Sequence, residues 1–154
     1  MKYKVDIVTL KNDIQKRFGE KTNSSEFIIT MTNLKKRKGE NISFVLEHYS
    51  NRDLSYKFSF PSFIAFEMRD GMLTQEADVK TVKFNADYDG IIIHQILEGM
   101  YLNFLKAKTA LQIYSDIGAL EDSRIQQYSL YGQDRVVDIV TIERPTIFLI
   151  EHTK

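Results

Sequence analysis

Ser55-Tyr56-Lys57-Phe58-Ser59-Phe60 alternates polar and aromatic residues without a break. A strand points successive side chains to opposite faces, so this period puts Tyr56, Phe58 and Phe60 on one side and Ser55, Lys57 and Ser59 on the other. One wet face and one aromatic face describe a half-buried strand of an antiparallel sheet. The three rings are therefore expected in the core.

The neighbouring sequence extends the pattern in both directions. Residues 27–32 are rich in Phe, Ile and Thr. Residues 42–49 alternate, with Ile42, Phe44, Leu46 and His48 on one face. Asn51-Arg52-Asp53 supplies turn chemistry between that run and 55–60. Pro61 lacks a backbone donor and interrupts the ladder, which resumes over 62–69 and ends at Asp70-Gly71. Further strands are expected at 79–84, 124–130, 135–142 and 146–150. The run 135–142 is nearly all apolar, as in a central strand buried on both faces. It contains Asp138, where a carboxylate is costly unless it points to solvent or pairs with an arginine.

Two segments have a helical period. Leu10, Ile14 and Phe18 fall at i, i+4 and i+8, with Thr9 placed as an N-cap and Gly19 as a C-terminal stop. Residues 3–8 lead into this helix or form a short strand. Ile92, Ile93, Ile96, Leu97, Met100, Phe104 and Leu105 recur at spacings of one, three and four, which predicts the longest helix over residues 88–107. Residues 109–117 fit either period. The expected fold is α+β: a mostly antiparallel sheet of seven or eight strands, with one long and one short helix packed on it. The 154 residues, without repeats or low-complexity stretches, fit a single domain spanning 1–154.

Composition excludes several classes. There is no Cys, hence no disulfide, thiolate zinc site or cysteine nucleophile. No apolar run reaches the ~20 residues of a membrane span, and the N-terminus has no secretory leader pattern. A cytoplasmic protein is expected. Net charge is zero, but residues 1–83 carry 15 basic and 11 acidic residues and residues 84–154 carry 6 and 10. The sharpest cluster, Lys35-Lys36-Arg37-Lys38, fits a solvated hairpin tip better than a phosphate-binding loop, because the whole chain lacks a basic balance. Nucleic acid is accordingly disfavoured as a partner.

Chemical motifs are sparse. The three histidines, His48, His94 and His152, form no H-x-x-x-H pair. His94 and Glu98 would share a helix face, either as part of a metal or acid–base site or as a surface pair. Asp78-Val79-Lys80 and Asp87-Tyr88-Asp89-Gly90 are fragments of nuclease and calcium patterns without the remaining ligands. Glycine-rich phosphate loops and the G-x-S-x-G elbow are absent. No cofactor and no catalytic residue is assigned.

The segment Gln127-Tyr128-Ser129-Leu130-Tyr131-Gly132-Gln133-Asp134-Arg135-Val136-Val137-Asp138-Ile139-Val140, followed by Pro145, resembles the final hairpin of small immunity proteins from bacterial toxin–immunity loci. The resemblance lies in a tyrosine-containing strand, an Asp-bearing turn, an apolar strand with one Asp, and a proline before the last strand. It implies a cytoplasmic, non-enzymatic protein that neutralises a partner toxin by direct binding. Glu121, Asp122 and Asp134, in the acidic half of the chain, are the candidate binding residues against a basic toxin surface. The alternatives are a small metal-dependent enzyme or a nucleic-acid-binding module.

Overall fold

The computed structural model describes residues 1–35, 41–70, 80–83, 92–98, 100–108 and 125–152. Within them the chain forms β1 (Lys2–Val5), α1 (Leu10–Phe18), β2 (Phe27–Lys35), β3 (Asn41–His48), β4 (Leu54–Pro61), β5 (Phe63–Asp70), β6 (Lys80–Lys83), β7 (Ile93–Glu98), α2 (Met100–Lys108), β8 (Gln126–Tyr131), β9 (Arg135–Thr141) and β10 (Thr146–Glu151). The class is α+β with antiparallel pairing, as expected. The single sheet is a correction. There are two five-stranded sheets, ordered β1-β10-β4-β3-β2 and β5-β9-β8-β7-β6.

Both sheets contribute to one apolar core. Tyr56, Phe58 and Phe60 are each 0% exposed, so the alternation that predicts their burial is borne out. They meet Ile42, Phe44 and Leu46 of β3 and Ile147 and Leu149 of β10, with Tyr128, Leu130, Val137 and Ile139 arriving from the second sheet. Phe60 faces Tyr128 at a ring separation of 6.0 Å, and Phe44 faces Phe66 at 6.2 Å. Sheet-on-sheet packing explains the amount of aromatic sequence: each inner face needs side chains long enough to fill a gap of about 10 Å.

The main correction concerns residues 88–107. Ile93–Glu98 is a strand, paired with β6 on one side and β8 on the other, and only Met100–Lys108 is helical. Residues 84–91 lie outside the described residues. Ile92, Ile93 and Ile96 are all buried. Ile93 and Ile96 lie three apart, which fits one stripe of a helix, but in a strand that spacing puts them on opposite faces, and both faces are covered here; β-branched Ile favours the strand. The short helix forms as expected, but Thr9 does not cap it with its side chain. Its hydroxyl donates to the Asp6 carbonyl at 3.2 Å instead. Gly19 does end the helix, at φ +112°.

α1 packs against the shared core. Leu10 and Ile14 enter the core, and the Asp13 carboxylate accepts the Tyr56 hydroxyl at 2.6 Å. α2 lies on the outer face of the second sheet, where Leu102 packs with Val140. β9 is an interior strand, paired with β5 and β8, which agrees with its apolar sequence, although β8 holds the middle position.

Candidate functional site

The second sheet carries a polar row on its outer face. Register aligns His94, Ser129, Asp138 and Glu67 on four successive strands. Alternation determines which side they occupy: Tyr128, Leu130, Val137 and Ile139 point into the core, so the residues between them point out.

Asp138 is the centre of the row. It is 2% exposed, and burial at that level requires partners. Arg69 Nε donates to its Oδ2 at 2.8 Å, and Ser129 Oγ donates to its Oδ1. Pairing with an arginine was one of the two expected outcomes for this residue; solvent exposure was the other. Arg69 also lies 3.5 Å from Glu67 Oε1. The hydrogen bond to Asp138 raises the guanidinium pKa further above its ordinary value.

Glu67 is the perturbed group. Its pKa is raised from 4.5 to about 7, first by burial, then by a hydrogen bond with Asp138 and by the Asp138 charge; Arg69 opposes the shift. A carboxyl group that faces another carboxylate is harder to ionise, in the same direction as burial. Above them, Tyr101 on α2 is pushed up to about 12 by burial, with smaller contributions from Glu67 and Asp138. The ring of His94 meets Tyr131 edge-on at 5.0 Å. This arrangement can hold one proton near neutral pH beside an immobilised arginine.

Other sequence candidates are placed elsewhere. His94 and Glu98 share a strand, not a helix, and four residues of strand rise separate their positions by about 13 Å. The expected i,i+4 helical pair is therefore not formed. His48 is a core residue: its ring stacks on Phe18, its Nε2 lies 3.3 Å from Glu26 Oε1, and its Nδ1 accepts the Ser50 amide at 3.2 Å. His152 Nε2 pairs with Ser55 Oγ at 2.9 Å. Lys35 ends β2, and residues 36–38 lie outside the described residues, as do Asp78, residues 87–90 and residues 109–117.

Of the three candidate binding residues, Asp134 is exposed in the turn between β8 and β9. Glu121 and Asp122 lie outside the described residues. The turn is anchored on β2: the Gln133 amide donates to the Phe27 carbonyl at 2.7 Å. Gly132 is required beside it, because a Cβ there would sit 2.7 Å from Ile29 Cγ1.

Sequence reasoning singled out Asp138 but missed Glu67, Arg69, Ser129 and Tyr101. The charges at 67 and 69 alternate with Phe66 and Met68, so their outward direction could have been read. That they oppose Asp138 depends on non-local register. Among the described residues no group of three His, Asp or Glu side chains is placed to hold a metal ion, and no described helix is long and apolar enough to cross a membrane. Comparison with known proteins gives no match to a family model, a curated protein or a solved structure.

Proposed function

We propose that the protein acts in the cytoplasm by binding another macromolecule, as an immunity-type inhibitor of a partner toxin, and catalyses nothing itself. The supporting observation is the geometry of the C-terminal hairpin. β8, a turn bearing Asp134, β9 with Asp138 as its one carboxylate, Pro145 and β10 follow one another in the order the resemblance implies. Gln133, Asp134 and Arg135 are exposed at the turn, on a backbone fixed to β2. A fixed backbone that exposes the Asp134 carboxylate suits a basic partner because little ordering is required on binding, although the adjacent Arg135 balances the charge of the tip itself. On this reading Asp134, Glu121 and Asp122 are the carboxylates that meet the basic, phosphate-binding surface of a nuclease toxin.

The test is co-purification with the product of the neighbouring gene, followed by rapid-mixing kinetics. Asp134→Lys should slow association at low salt and leave dissociation nearly unchanged, with the difference fading at high salt. No complex, or equal association rates for both proteins, would defeat the reading.

Glu67 favours a second reading, a small acid–base enzyme. A carboxyl group titrating near 7 is matched to proton transfer at neutral pH. Any hydrolytic turnover should then follow one ionisation near pH 7 and disappear in Glu67→Gln.

A further inference from the structure

The outer face of the first sheet carries two rows that the hairpin reading does not use. One is Lys4, Phe148, Lys57, Val45 and Thr30; the other is Lys2, Ile150, Ser55, Glu47 and Ile28. The inner-face residues between them fill the core, so these side chains point away from it. The described helices pack elsewhere: α1 in the core cluster and α2 on the second sheet. Phe148, Val45, Ile150 and Ile28 are half-buried, and Lys2, Lys4 and Thr30 are exposed.

Charge on this face is unbalanced. The two rows hold three lysines and one carboxylate, Glu47. The ion pairs of Arg17, His48 and Arg69 involve none of these lysines. Lys57 lies on the central strand β4, where the usual role of an edge lysine, discouraging strand addition, does not apply. The apolar side chains run between the cations, so an occupant needs both negative charge and apolar surface.

We propose that this face docks an acidic polypeptide whose carboxylates pair with Lys4 and Lys57 while its apolar side chains cover Phe148 and Val45. A single-stranded nucleic acid fits less well. Such strands bind by stacking bases on exposed rings. Phe148 is the one aromatic in the two rows, and the Lys2 ammonium already lies 4.0 Å from its ring centroid. The surface is separate from the hairpin turn, so it stands or falls independently of toxin binding.

The test titrates the intact protein with the random copolymer of glutamate and tyrosine, and separately with polyglutamate and oligothymidylate. Backbone amide NMR shifts locate the contacts. Copolymer binding should move the amides of Val45, Lys57 and Phe148, weaken with salt, and exceed polyglutamate binding because the rings add apolar contact. Lys4→Glu with Lys57→Glu should weaken it about tenfold, since each reversal removes one attraction and adds one repulsion. Val45→Ser should weaken it with the charges intact. Thermal unfolding checks that the variants remain folded. Tighter binding of oligothymidylate, self-association through this face, or copolymer shifts confined to other strands would each overturn the proposal.

Discussion

Glu67 faces Asp138 across one rung of the second sheet, and its partial burial, together with that neighbour, makes stability depend on pH. The folded protein holds the Glu67 proton up to about pH 7, against 4.5 for the ordinary carboxyl. Because the folded-state value is the higher one, the stabilisation is fully present below 4.5 and is lost as pH rises through 7. The side chain is 40% exposed, so solvent moderates the effect. Melting temperature should fall between pH 5 and 8, and Glu67→Gln should flatten that fall and be the more stable protein at pH 8. Parallel curves for the two proteins would show that the proton is not held there. Arg69 offers a second test. Arg69→Met leaves Asp138 buried without its cation and should cost about 2–3 kcal/mol in urea unfolding, near the lower end for a broken buried pair because Arg69 is partly exposed. Arg69→Met with Asp138→Val, beside Val136 and Val140, should recover most of the loss. An additive double mutant would show that the two groups are not coupled.

At the scale of elements, β4 is the part of the fold most directly readable. Phe58→Ala should cost about 3–5 kcal/mol, as for other fully enclosed phenylalanines; a loss near 0.5 kcal/mol, the surface range, would place the ring outside the core. β7 shows where reading fails. Its isoleucines satisfy a helical period, but two neighbouring strands and burial on both faces select the extended form, and neither neighbour is local in sequence. The polar row has the same difficulty. Alternation gives the outward direction of Glu67, Arg69, Ser129 and Asp138, whereas their meeting depends on register across three strands. Gly132 is another residue whose role becomes visible only through a distant strand. Gly132→Ala should destabilise by about 1–3 kcal/mol through overpacking against Ile29. The penalty should shrink in an Ile29→Ala background. An unchanged penalty would mean that the backbone of the turn, not the contact, requires glycine.

At the scale of the whole molecule, the two sheets must be joined, and the crossing from the first to the second is one sharp corner. β4 belongs to the first sheet and β5 to the second, with Ser62 alone between them. Ser62 has φ +56°, the left-handed region that L-residues adopt at a cost. Such a conformation persists where surrounding contacts impose it, and the contact here comes from β9. Thr141, fully buried, donates its hydroxyl to the Pro61 carbonyl at 2.9 Å and accepts the Glu143 amide at 3.4 Å. One side chain thus links the corner to the turn that leads into β10, the strand returning to the first sheet. Thr141→Val keeps the shape and removes both hydrogen bonds, leaving polar groups buried without that partner. It should cost about 1–3 kcal/mol, and Thr141→Ser, which keeps the hydroxyl, should cost less. Ser62→Gly removes the conformational strain in the folded state but adds freedom to the unfolded chain, so its net effect should be small. In Thr141→Val the corner relies more on the preference of residue 62 itself, so Ser62→Gly should then stabilise. Urea unfolding of the four combinations measures this coupling directly. A Thr141→Val protein as stable as the parent would show that the corner is held by packing alone.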